Sequence, residues 1–148
     1  YIYQAMHMAL STLRDAAEGA HLLGCSCPLG SAIGFCDSVR VSADTAPQWL
    51  AGVPWDRTNL PPARNALRNS LVRQALHRRW FLTNTDCLIL RDCSLSPAQV
   101  CGAVAVAGLC GGLVFVSENM KGISADRRAL LQRLFPVGLV RGGTVLLD

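Results

Sequence analysis

Apolar residues recur along the first segment at Ile2, Met6, Leu10, Leu13 and Ala17. Spacing by three and four residues lines one side of a helix and predicts a buried stripe, closed by Glu18 and Gly19. His21 to Cys25 reads as a short buried strand, Pro28 to Gly34 as a turn or short helix, and Ser38 to Ser42 as a second strand. In that strand alternation puts Arg40 and Ser42 on one face. A guanidinium facing inward normally needs an anion or a polar ligand beside it, so Arg40 points to a pocket.

Further along, Asn59 is placed to cap a helix with Pro61 and Pro62 in its first turn, where missing amide donors cost nothing. Ala66, Leu67, Leu71 and Ala75 form its apolar stripe, and it is expected to end near Arg79. The run from Trp80 to Leu90 is extended but polar at its centre. The expectation is a strand over Trp80 to Leu82, with Thr83 to Asp86 emerging at its open end. Ser96-Pro97-Ala98-Gln99 has the arrangement of a capping box, followed by Val100, Ala103, Val104 and Ala107 as a buried face and Gly111-Gly112 as a stop. Leu113 to Val116 is a further short apolar run, ending in Ser117-Glu118-Asn119. Ser124 caps a last helix, with Asp126 in its first turn and Leu130, Leu131 and Leu134 inward.

Strands alternating with helices call for a parallel sheet, hence the α/β class. Four such strands make either an open doubly wound sheet or half of a closed eight-stranded barrel. A complete barrel of that kind takes about 250 residues. With 148 residues, the half barrel requires that the chain be a fragment. After Phe135-Pro136 the pattern changes to Gly142-Gly143-Thr144-Val145-Leu146-Leu147, which reads as the first strand of a following β domain.

Composition narrows the function classes. At 51% hydrophobic and 16% charged residues the chain is globular in character. The longest apolar stretch, around Val100 to Val116, is broken by Gly108, Gly111 and Gly112. It falls short of the roughly 20 residues a membrane span needs, so no membrane partner is expected. The net charge of +4 rests almost wholly on arginine, Lys121 being the only lysine. Arg64, Arg68, Arg73, Arg78 and Arg79 lie close together, but without interleaved aromatic or glycine-rich motifs they read as a solvated helix face. Nucleic acid is not an expected partner. The seven cysteines are odd in number and sit mostly within apolar runs, as at Cys25, Cys87, Cys101 and Cys110. Buried thiols in a reducing, cytoplasmic setting explain them better than a zinc site of Cys25, Cys27 and Cys36, which lacks paired Cys-x-x-Cys or Cys/His spacing.

Two stretches carry a family resemblance. Gly24-Cys25-x-Cys27-Pro28-Leu29 followed by Arg40-x-x-x-Asp44-Thr45-Ala46-Pro47-x-Trp49 resembles a segment of the melibiase-type α-galactosidases of glycoside hydrolase clan D. Trp80-x-Leu82-x-Asn84-x-Asp86-Cys87-Leu88 resembles the later Trp-(x)-Leu-Asn-Asp-Pro-Asp-Cys-Leu stretch of the same family. Several motifs in one order are more specific than any alone. The resemblance implies that residues 1–134 are the C-terminal half of a (β/α)8 TIM barrel, its fifth to eighth strands, and that residues 135–148 begin a β domain.

It also implies a chemistry. A retaining glycosidase places two carboxyl groups about 5 Å apart across the scissile bond, one attacking the anomeric carbon and the other protonating the leaving oxygen. By the resemblance Asp44 matches the general acid/base, Arg40 the arginine near the nucleophile and the sugar, and Cys25 a cysteine lining the sugar pocket. From residue type alone, Asp44 equally suits a cap before Thr45-Ala46-Pro47, and Cys25 a small buried hydrophobe. Asn84 and Asp86 read as structural hydrogen-bonding residues, and the three histidines as structural. The expected substrate is an α-galactoside oligosaccharide such as melibiose or raffinose, with no metal or organic cofactor, and a homo-oligomeric parent is allowed.

The chain also departs from the family pattern. Ser42-Ala43 stands where the family often has Gly-Pro, and Thr85 replaces the usual proline. The family nucleophile is the Asp of a Lys-x-Asp triplet on an earlier strand. Lys121 is followed here by Gly122-Ile123, so no such triplet is present and the nucleophile is expected upstream. The fragment alone is expected to be inactive. Rival readings are an α-N-acetylgalactosaminidase or transglycosylase of the same clan, and a small non-catalytic α/β binding protein.

Overall fold

The computed structural model of the chain describes residues 1–50, 52 and 60–135. Asn59, expected to cap a helix, and residues 136–148, expected to open a β domain, lie outside the described residues. Four strands, β1 (Leu23–Gly24), β2 (Ser38–Arg40), β3 (Leu82–Leu88) and β4 (Leu113–Val116), form one sheet in the order β1-β2-β3-β4. Every neighbouring pair is parallel. Helices α1 (Ile2–Ala16), α2 (Leu29–Ala32), α3 (Ala63–Val72), α4 (Pro97–Cys110) and α5 (Ala125–Gln132) alternate with them. Consecutive parallel strands linked by helical crossovers are the repeating unit of a TIM barrel.

The helix-facing side of the sheet is apolar in two places. Val39 and Val41 of the β2 region pack with Leu10, Ala32, Cys36 and Phe81. A second cluster joins Leu88, Ile89 and Leu90 to Val100, Val104 and Ala107 of α4 and Leu131 of α5. Because Val39 and Val41 face the helices, strand alternation turns Arg40 to the opposite face, as the sequence predicts.

The capping box of α4 is formed: Ser96 Oγ accepts from the Gln99 amide and the Gln99 side chain accepts from the Ser96 amide. Gly111 ends that helix in the left-handed conformation, with φ 64°. Ser124 caps α5 by accepting from the Arg127 amide. Gly112 serves another purpose, since a Cβ there would fall 2.0 Å from the Thr83 carbonyl oxygen. Its missing side chain lets the start of β4 approach the backbone of β3.

Several sequence expectations are corrected. Helix α1 carries a narrower buried stripe than predicted: Leu10 is buried and Met6 partly so, while Ile2 and Leu13 are exposed. Helix α3 begins only at Ala63, after both prolines. Pro62 biases the residue before it away from helical geometry, which delays the start. The helix ends at Val72 and is followed by a 3-10 turn over Gln74–Leu76.

The largest correction concerns β3. Thr83, Asn84 and Thr85 do not emerge at an open end but lie buried within the strand, whereas Trp80 is exposed ahead of it. The burial is tolerable because partners are at hand. His77 Nδ1 lies 3.2 Å from the Thr83 amide and 3.1 Å from its Oγ1, and Asn84 Nδ2 donates to the Leu113 carbonyl at 2.9 Å. Cys25 and Cys101 are exposed rather than buried, while Cys36 and Cys110 are buried as thiols of their type commonly are.

Candidate active site

The carboxyl ends of the strands gather the polar residues. Arg40, the last residue of β2, pairs in register with Asn84 of β3. Asp86, two residues on, also faces Arg40, its Oδ1 lying 3.7 Å from Nη1. A register shift between Asn84 and Cys87 and a left-handed φ of 68° at Asp86 re-aim the strand at that point.

The Arg40 side chain, 14% exposed, is the hub. Its Nη1 lies 2.6 Å from Asp44 Oδ1 and 3.7 Å from Asp86 Oδ1, and its Nη2 donates to Ser26 Oγ at 3.1 Å. Asp86 Oδ2 accepts from the Thr45 amide at 2.7 Å. Three strand ends are thus tied together through one guanidinium: Ser26 beyond β1, Asp44 beyond β2 and Asp86 on β3. Arg40 Nε and Ser42 Oγ are buried without a hydrogen-bond partner among the described residues.

Asp44 differs from its neighbours in being 65% exposed. A carboxyl group held by one charged partner and otherwise open can exchange a proton with a bound molecule. Asp86, at 16% exposure, has both oxygens committed inward. The adjoining Cys87 thiol is pushed up by burial and then by the Asp86 carboxylate, which disfavours the thiolate a nucleophile would need. Cys25 is exposed immediately after β1, one residue before Ser26.

At the end of β4 the Glu118 side chain is only 2% exposed. Its Oε1 accepts from the Leu90 amide at 2.7 Å and the Arg91 amide at 3.2 Å, and Arg91 Nη1 lies 3.3 Å from both carboxylate oxygens. It borders an open recess of about 470 Å³ with Arg91, Ser117, Asn119, Gly122 and Ile123. Among the described residues no three His, Cys, Asp or Glu side chains converge as a metal site, and Cys25, Cys27 and Cys36 make no ligand set.

The structure brings Arg40 and Asp44 into direct contact, while Cys25 is exposed and only adjacent in the chain to Ser26, which meets Arg40. Sequence reasoning missed the link from Asp86 to Thr45 and the role of Ser26 as a partner of Arg40. The first depends on the register shift and the left-handed backbone at Asp86, which no local pattern marks. No sequence signal marks Ser26.

No family model matches the chain. Among solved structures, an α-galactosidase from Thermus thermophilus in complex with stachyose superposes with a TM-score of 0.78 at 29% identity, covering 87% of this chain and 29% of that one. In fold, the chain matches part of an α-galactosidase barrel. The same Thermus enzyme in complex with p-nitrophenyl α-D-galactopyranoside gives a TM-score of 0.77 at 29% identity, over 86% of this chain and 27% of that one. α-Galactosidase I from Mortierella vinacea shares the fold, with a TM-score of 0.70 over 88% of this chain and 36% of its own, at 11% identity. The structural relatives are α-galactosidases, in agreement with the melibiase-type resemblance of the motifs, and the chain spans under a third of the Thermus enzyme's length.

Proposed function

We propose that this chain supplies the acid/base side of a retaining α-galactosidase site, completed by a nucleophilic Asp from outside these residues. The observation that carries the reading is the exposed Asp44 carboxyl held 2.6 Å from Arg40 at the carboxyl end of a parallel barrel strand. Barrel enzymes build their sites at that end. In the first step Asp44 gives its proton to the glycosidic oxygen while the nucleophile attacks the anomeric carbon and the aglycone leaves. In the second, Asp44 takes a proton from water as that water displaces the nucleophile.

In this reading Arg40 fixes the acid through its 2.6 Å contact, and the exposed Cys25 lines the sugar pocket. The substrate is a terminal α-linked galactosyl unit of an oligosaccharide, and the chemistry uses no metal or organic cofactor. The reading keeps the cytoplasmic location expected from the sequence.

The test is galactose release from raffinose by the full-length enzyme containing this chain, with the anomer formed first identified by proton NMR. The α-anomer and its loss in Asp44→Ala are expected. A full-length protein that releases no galactose, or that yields the β-anomer first, refutes the reading.

A further inference from the structure

We infer that Asp86 is a positioning residue for the general acid, holding the Asp44 segment and Arg40 in one fixed relation. The inference rests on the α-galactosidase reading above. One oxygen of Asp86 accepts from the amide of Thr45, the residue after Asp44, at 2.7 Å. The other faces Arg40 Nη1 at 3.7 Å, the same nitrogen that lies 2.6 Å from Asp44. A single carboxylate thus contacts both the backbone bearing the acid and the cation bound to it.

The local geometry is built for this aim. Asp86 holds φ at 68°, a conformation that Asp tolerates better than most residues, and its own amide donates to Asn84 Oδ1 at 3.1 Å. The register shift between Asn84 and Cys87 coincides with it, and bulges of this kind redirect side chains beside functional sites. The side chain is 16% exposed, so its bonds are sheltered from water. Asp44 itself sits beyond the end of β2 and is mostly exposed, so its reach depends on how that segment is anchored. Small misplacements of a reacting group are costly, a shift of about 1 Å being worth on the order of 100-fold in rate.

The leaving group separates positioning of the acid from general support of the fold. A p-nitrophenolate departs without a proton, whereas the sugar alkoxide released from raffinose needs one. In the full-length enzyme, Asp86→Ala is expected to lower kcat/KM for raffinose by about 100-fold and for the p-nitrophenyl α-galactoside by less than about 10-fold. Asp86→Asn keeps an acceptor for the Thr45 amide and should recover most of the raffinose activity. Adding Asp86→Ala to Asp44→Ala should then change the ratio of the two substrates little. Equal losses on both substrates, with Asp86→Asn no better than Asp86→Ala, would overturn the inference while leaving the α-galactosidase reading intact. A wild-type enzyme inactive on both substrates refutes that reading, and this inference with it.

Discussion

The ends of β2 and β4 each set a carboxylate against an arginine, yet the two pairs are opposite in character. Glu118 is 2% exposed and receives two backbone amides in addition to Arg91. Asp44 is 65% exposed and meets Arg40 alone through one oxygen among the described contacts. A buried carboxylate saturated with donors is held in place, and it ties the end of β3 to the end of β4. An exposed one with spare acceptor capacity can meet a substrate. Position at a strand end therefore does not fix a carboxylate's surroundings; the count of donors and the access of solvent separate the two.

That contrast can be broken most sharply at Asp44. In the full-length enzyme Asp44→Ala is expected to reduce kcat/KM for raffinose by about 1,000-fold, the range of general acid catalysis, with thermal unfolding little changed. A large fall in Tm would make Asp44 a structural residue like Glu118.

Glu118→Ala should do the reverse. Removing a buried charged acceptor strands the Leu90 and Arg91 amides and is expected to cost about 3 kcal/mol in denaturant unfolding, with kcat per folded molecule largely kept. A somewhat smaller loss, about 2 kcal/mol, is expected for Gly112→Ala at the other end of β4. There the new methyl group would meet the Thr83 carbonyl, and urea titration would read the change.

The smallest effects come from pH. The His77 pKa is lowered, first by burial and then by Arg78, and its Nδ1 accepts from the Thr83 amide. A depressed folded-state pKa means that stability is complete above the usual histidine value of about 6.5. It declines as pH falls from there to the folded-state value, because the unfolded chain binds the proton first. Asp37 is lowered by its Arg14 hydrogen bond and by the Leu22 amide, so its contribution holds above the ordinary carboxylate range and is lost as pH falls through the folded-state value. Unfolding followed from pH 7 to pH 5 should show the histidine step, and His77→Gln should flatten it.

These contrasts also mark how far the sequence could be read. Ser96 with Gln99, Gly111 and Ser124 act through partners three or four residues away or through their own backbone angles, so their caps were visible in local order. The α/β class followed from alternating periodicities for the same reason. The Arg40 face followed from strand alternation. The buried polar centre of β3 was misjudged because apolar patterning treats Thr83 and Asn84 as solvent-seeking. Only the approach of His77 and Leu113 supplies the partners that make their burial affordable.

Local order along the chain was enough for the succession of helices and strands, the parallel sheet that this order demands, and the inward face of Arg40; its pairing with Asp44 was not among these. Which of the strand-end carboxylates stays open to solvent depends on the tertiary arrangement. Asp44, Asp86 and Glu118 are chemically alike, and each stands near an arginine. What separates them is the number of donors brought to each from distant segments: Thr45 to Asp86 across 41 positions, and Leu90 to Glu118 across 28. Donors from such separations are set by strand register and by the bulge in β3, and chain-local pattern contains neither.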